Sequence, residues 1–483
     1  MTKKWDAVFI GSGLSALTCG AFLAKKGMRV KVLEKHYRIG GYAHSFSRNP
    51  YRFESGIHSV PMGPNGYIYT LLRALGIENK IETISHNCMY TAQFGDIQYV
   101  IPSSPDALRP WFYEQFPNDR SDINALFDDM AFLYKEIIDP LFRFEKKGNE
   151  TNPHILDKYQ KQTYKTYIES YIKNPELQNI FFAQWPFAGV VPEIASTTFF
   201  TLLFYVHAVE GSHYIKGGFG MLAEGLADVI REHGGEVTCS SEVISLCKEN
   251  GKIKHAVLAS GETIEADRFI SNISPDTLLE QLLDTESTNR LWVRRSNQLT
   301  KASSALAVYL GFDNDINALL PENILFWYKN SDFTKMNKRI TNCDHTSNDH
   351  LIFLKTPHPE QKSTLFLMKF ANESETINWA TEKDHIADSM ILDAEKIIPG
   401  LSSHITCKVT ASPQTFRRYT GNSGGSLYGY ANLADRYSEA RIPMQTFIPN
   451  LYQTGHWCRG VGVWNVMESG HTVAQRILAE NII

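Results

Sequence analysis

The stretch Asp6-Ala-Val-Phe-Ile-Gly-Ser-Gly-Leu-Ser-Ala16, followed by Val30-Lys-Val-Leu-Glu34, decides how this chain folds. An apolar strand enters a glycine turn. Leu14 to Lys26 then reads as a helix with Leu17, Ala21 and Leu23 on its buried side, and a second apolar strand ends on a carboxylate. Each part suits a dinucleotide. Gly11 permits the tight turn, Gly13 lets backbone approach a pyrophosphate, and small Ala16 lets the helix pack closely on the strand. The pyrophosphate would sit at the helix N-terminus, where the N–H groups of Ser12 to Ser15 have no helical partner. Glu34 stands roughly 20 residues beyond the turn, the spacing at which an acid accepts hydrogen bonds from a ribose diol, with Lys35 beside it.

Composition narrows the class. At 483 residues the chain is long enough for about two or three domains. A 43% hydrophobic content can fill sizeable cores, and 21% charged residues argue against disorder. The net charge of −4 offers no general attraction to nucleic acid. Seven scattered cysteines without a CxxC pair fit a reducing, cytoplasmic setting and supply no metal site. The first strand begins near residue 5, so no signal peptide is expected. The most apolar run, Thr197 to Val209, is shorter than the roughly 20 residues of a membrane span, which leaves peripheral membrane contact open.

The flanks point to one dinucleotide. Gly40-Gly41 follows the ribose acid closely, then come His44 and Phe53-Glu54-Ser-Gly56-Ile57-His58. Paired glycines there allow a flat, extended ligand to lie against backbone. In this extension the chain resembles the flavin amine oxidase and phytoene desaturase superfamily. It is most similar to the branch of carotenoid desaturases, carotenoid isomerases and retinol saturases. Three distant blocks carry the resemblance onward: Gly189-Val-Val-Pro with Tyr214-Ile-Lys-Gly217-Gly218-Phe-Gly220; Arg268-Phe-Ile-Ser-Asn272; and Asn450 to Val463, which contains Gly455, His456, Arg459 and Gly462. The resemblance implies FAD as cofactor. It implies that Gly11, Ser12, Gly13, Ser15, Ala16, Glu34 and Lys35 hold the ADP half, with Val243 at the adenine through its backbone. Gly40, Gly41, Gly56, Ile57, Gly455, Gly462 and Val463 would hold the flavin half. It also implies an α/β fold, a Rossmann-like, doubly wound FAD domain of glutathione-reductase type interleaved with a mixed-sheet and helical substrate domain.

The expected FAD domain comprises residues 1–85, 205–300 and 432–483, and the substrate domain 86–204 and 301–431. Met89 to Ile101 reads as a hairpin turning at Phe94-Gly-Asp-Ile, and Ala305–Gly311 and Ser363–Phe370 as strands of a second sheet. Gly217-Gly-Phe-Gly220 follows no clear strand, so one dinucleotide unit is expected and no built-in nicotinamide domain. His345, His350 and His358 match no metal motif and read as surface residues.

Glu54, His58, His456 and Arg459 are the candidate catalytic residues. An acid or base there would assist proton transfer at carbon, and Arg459 could stabilise a developing anion. Three have a structural alternative: Glu54 tying down an interdomain loop, His58 packing beside the flavin, His456 acting through its backbone. The run Phe199 to Tyr205 is either core or the wall of an apolar tunnel. Where many relatives carry Asp at position 54 and a proline- and glycine-rich run over 459–465, this chain has Glu54, Arg459, Trp464 and Asn465. The favoured expectation is an FAD-dependent oxidoreductase acting on C–C bonds of a long apolar polyene or isoprenoid, a small-molecule partner, by desaturation, saturation or isomerisation. The alternatives are an amine-oxidase-like or tailoring flavoenzyme on a more polar molecule and a flavin-free prenyl-binding escort. The intact turn and Glu34 argue against the escort. The sequence names neither an electron partner nor an oligomeric state.

Overall fold

The computed structural model describes residues 4–143, 153–160, 162–284, 289–357, 362–434 and 441–480. Strand β1 (Trp5–Ile10) forms the axis of the first sheet, and Ala7, Val8 and Phe9 are wholly buried. Burial on both faces explains why it is apolar without alternation. It pairs in parallel with β2 (Val30–Leu33) on one side and with Thr263–Ser271 on the other; Phe9 stands opposite both Val32 and Ile270. Glu236–Thr238 adds outside β2, and Leu451–Gln453 joins the end of Thr263–Ser271, both in parallel. The beginning of Thr263–Ser271 instead runs antiparallel to Lys252–Leu258, which pairs with Val243–Glu249.

Helix α1 (Leu14–Lys25) has no buried stripe of the kind its sequence suggests. Leu17, Ala21 and Leu23 are buried, but so are Ser15, Thr18, Cys19 and Gly20, because α1 lies between two other helices. One is Gly220–Glu232, whose Ile230 packs where a side chain at Gly20 would stand. The other is the C-terminal helix Val463–Glu480, whose Gly470 lies directly over the Ser15 carbonyl. A helix enclosed all round loses the amphipathic signature.

The second sheet runs in the order Ile405–Ala411, Ala305–Phe312, Thr364–Phe370, His350–Lys355, Ile324–Tyr328, Cys88–Phe94, Ile97–Pro102. The hairpin closes as expected, with Phe94 opposite Ile97. Helices Arg120–Ile137, Tyr164–Tyr171, Pro175–Phe182 and Thr197–Glu210 form an apolar layer beside this sheet. Among the described residues no helix is long and apolar enough to cross a membrane.

Two expectations are corrected here. Gly217 to Gly220 does follow a strand, Ser212–Ile215, which belongs to a small antiparallel sheet with Val60–Pro61 and Thr83–Ser85. His350 is buried, not a surface residue: its Nε2 accepts the Phe370 N–H at 3.0 Å, and His345 packs on Trp379. His358 lies outside the described residues.

A Cβ at Gly470 would collide with the Ser15 carbonyl, which neither backbone can relieve cheaply. Gly470→Ala should therefore cost about 1–3 kcal/mol, read as a lowered midpoint in urea unfolding with an unchanged slope.

Candidate active site

The turn after β1 is held from several directions. Gly11 adopts φ +89° and its N–H donates to the Leu33 carbonyl at 2.8 Å. The Gly40 N–H donates to the Ser12 carbonyl at 3.0 Å, and Gly41 lies against the Gly13 backbone. Gly40 and Gly41 have φ of +105° and +58°, a region that L side chains disfavour. One Glu34 oxygen accepts the Ser12 N–H at 2.8 Å and its hydroxyl at 2.6 Å; the other accepts the His36 N–H at 2.8 Å. The carboxylate thus binds the turn as well as facing the cleft that the turn lines. The N-terminus of α1 begins at Gly13 with no side-chain cap, leaving its N–H groups for an anion.

The C-terminal block is fastened to the same place. Ser15 and Thr454 share a short hydroxyl hydrogen bond, and Thr454 also bonds the Ser469 hydroxyl at 3.0 Å. Asn272 donates to the Thr454 carbonyl at 3.1 Å, and the Gly455 N–H donates to Ser469 at 3.0 Å. A cleft of about 980 Å³ runs from Gly11–Ser15, Glu34, Lys35 and Val243 past Gly40, Gly41, Gly56, Ile57, Gly455, Gly462 and Val463. It continues between Phe187, Leu203, Phe326, Ile352, Phe366 and Met368. Ala16 stays out of it and is wholly buried, which suits its expected packing role.

The four candidate catalytic residues divide. His58 and His456 line the cleft. His58 is buried against Phe366, and burial pushes its imidazole down to about 3. His456 sits between Tyr42 and Trp457; burial, with the Arg441 charge nearby, lowers it to about 4. Both are neutral in ordinary buffers. Glu54 and Arg459 are not among the cleft-lining residues. Glu54 accepts hydrogen bonds from Tyr214 at 2.9 Å, Ser45 at 3.0 Å and the Phe219 N–H at 3.2 Å. It therefore fills the N-terminus of helix Gly220–Glu232, the place a phosphate would need if Gly217–Gly220 held a second nucleotide. Burial raises its carboxyl against those hydrogen bonds. Arg459 pairs with buried Glu468 at 2.8 Å, and neither residue is among those lining the cleft. Its place in the loop suggested the flavin; its partner nine residues later turns it away. His44 lines the cleft and is held by the Gly41 carbonyl.

These features fit FAD in particular. A Cβ on Gly13 would strike the Asn272 side chain, a Cβ on Gly462 would project into open space, and the N-terminus of Val463–Glu480 faces the same cleft as that of α1. Two helix N-termini along one cleft suit the pyrophosphate and an electron-rich reduced ring. The sequence matches the model of the flavin containing amine oxidoreductase family over residues 14–478. The chain belongs to that family. It is similar to the chloroplast prolycopene isomerase of Daucus carota, 26% identical over 99% of this chain and 81% of that one. It is similar to a 4,4'-diapophytoene desaturase of Methylomonas sp, 22% identical over 99% and 96%. It is also similar to the all-trans-retinol 13,14-reductase of Macaca fascicularis, 23% identical over 99% and 86%. A putrescine oxidase triple mutant shares the fold, with a TM-score of 0.68 at 13% identity over 99% of both chains. The chain is an FAD-dependent oxidoreductase.

Two groups of this flavoenzyme escape the motif reading. Asn272 was visible in its strand, but its bond to Thr454 spans 182 residues. Glu210, the last residue of its helix, is buried against Gly63 and Gly66, beside the cleft-lining Trp464. Burial holds its carboxyl up to about 8.

Two outcomes are expected. Gly13→Val should give a colourless protein that stays colourless on incubation with FAD, measured by flavin absorbance after desalting. For Glu210, the folded chain keeps a proton that the unfolded chain releases above its ordinary carboxyl value, so stability falls as pH rises toward about 8. Glu210→Gln should therefore lose less melting temperature than the parent between about pH 6 and pH 9.

Proposed function

We propose that this flavoenzyme acts on C–C bonds of a long apolar polyene or isoprenoid. The supporting observation is the wall of the cleft beyond Gly56–His58: Phe187, Leu203, Phe326, Ile352, Phe366 and Met368. Every lysine and arginine lining the cleft belongs instead to residues 35–48 or 383–418. An apolar chain gains about 25 cal/mol per Å² by leaving water for such a wall. A cationic amine would find no carboxylate among those six residues. Relatives named for isomerisation, desaturation and reduction of such molecules lend the same reading weight.

FAD supplies hydride acceptance or donation when bound. The residues of the chain do the rest. The aromatic and aliphatic wall holds the chain extended and excludes water. His58, with only a long 3.3 Å contact from Nδ1 to the Gly56 carbonyl, presents a neutral imidazole that can relay a proton to or from the neighbouring carbon but not keep it, because burial opposes its charged form. His456 adds a second neutral imidazole without bringing charge into the arm.

Anaerobic incubation with acyclic polyenes and either oxidised or reduced FAD, followed by mass analysis, tests the reading. A change of two hydrogens marks desaturation or saturation, and an unchanged mass with altered retention marks isomerisation. No change with any polyene overturns it. His58→Ala should keep full FAD content and lose at least about tenfold in turnover; an unchanged rate removes His58 from the chemistry.

A further inference from the structure

The nucleotide turn is crossed by a piece of chain that belongs to the other half of the molecule. β2 and Thr263–Ser271 flank β1, so the Gly11 turn lies between residues 34–36 on one bank and 272–277 on the other. Helix Pro413–Thr420 follows Ile405–Ala411, an edge strand of the second sheet, and stops at Gly421, where φ is +72°. That stop touches both banks. The Lys35 Nζ lies 3.1 Å from where a Gly421 Cβ would stand, and the Gly421 carbonyl accepts the Thr277 hydroxyl at 3.4 Å. The end of the helix thus passes over the turn, and residues 417–421 line the same cleft as Gly11–Ser15 and Glu34.

Rings fasten this crossing, and no core does. Tyr419 is 47% exposed and Tyr37 61% exposed, so burial holds neither. His36 stands between them, edge-on to Tyr419 at 5.6 Å and 4.2 Å from Tyr37. Arg418 lies over the Tyr419 ring and Arg38 over the Tyr37 ring, each at 5.6 Å. The His36 N–H donates to Glu34 at 2.8 Å, so the row is built directly on the carboxylate that faces the nucleotide end of the cleft. Exposed aromatic surface gathered at a cleft mouth marks a place where something binds. Lys35, Arg38 and Arg418 form no ion pair among the described residues, which suits a ligand carrying phosphates.

We propose that residues 417–421 close over the ADP half of FAD, with the Tyr419–His36 contact as the clasp that retains the cofactor. The region of the second sheet then holds the nucleotide directly, although none of the glycine-turn residues lies there. Parting the clasp breaks a ring contact and the cation above it without exposing either sheet, so FAD enters and leaves through this opening. The proposal concerns the cofactor and does not depend on the substrate.

The rate of FAD loss from the loaded protein tests this, with released flavin trapped on charcoal and bound flavin followed by its absorbance. Tyr419→Ala removes the ring pair and the cation–ring contact, and should release FAD roughly tenfold faster than the parent. Tyr419→Phe keeps the ring and should stay within about twofold of the parent. His36→Ala removes the other side of the contact while its N–H still reaches Glu34, and should also speed release. Since both variants break one contact, the double variant should release FAD little faster than Tyr419→Ala alone. Far-UV circular dichroism and melting temperature establish that each variant is folded. If Tyr419→Ala is not, His36→Ala decides, together with Arg418→Gln, which should release FAD about threefold faster. Release at the parent rate from the folded variants overturns the proposal. So does a double variant whose rate is the product of the two single effects, or Tyr419→Phe releasing as fast as Tyr419→Ala.

Discussion

The hydroxyl of Thr454 holds this molecule's working parts in register. It meets Ser15 at the start of α1 and Ser469 on the C-terminal helix, while the Thr454 carbonyl receives Asn272 and its N–H donates to Ser271. Three regions of chain meet within one residue's reach. The nucleotide turn comes from the first, the strand beside β1 from the second, and the loop carrying Gly455 to Val463 from the third. Without that junction the two helix N-termini would not face one cleft. The close approach of Gly470 to Ser15 belongs to the same constraint, because any larger residue would lift the last helix off α1.

The electrostatics of the cleft follow from which segments form it. Its nucleotide end is made of turns and helix ends, rich in N–H groups and edged by Lys35, Arg38, Arg417 and Arg418. Its other end is made of sheet and helix faces, whose inward residues are apolar. Histidines are the exception, and burial keeps His58, His207 and His456 uncharged there. The arm can therefore contain hydrogen-bonding groups without becoming a charged site.

Local features were readable from the sequence. The strand, turn, helix, strand and acid of residues 5–34 depend on neighbours close in the chain, and their spacing carries the geometry. The hairpin at 88–102 is legible for the same reason. Directions of side chains were not. Glu54 belongs to a stretch that reaches the cleft at Gly56, yet its partner Tyr214 lies 160 residues away and draws it beneath the surface. Arg459 sits in the flavin loop but pairs with Glu468. The run Phe199 to Tyr205 admitted both core and tunnel wall, and the fold divides it: Phe199, Phe200 and Phe204 pack inside, while Leu203 reaches the cleft. The one-turn step from Leu203 to His207 was the available signal, hidden because nothing local marks which face of an apolar helix borders a cavity.

The order of strands in the first sheet has a consequence for how the protein is made. Leu451–Gln453 adds to a strand already paired with β1, and Thr454 lies 439 residues beyond Ser15. A ribosome releases the turn early and the loop that completes the cleft late. The segment Gly455 to Val463 supplies one side of the cleft, and residues 11–15 supply another. Cofactor binding thereby depends on joining two stretches of chain that lie 439 residues apart.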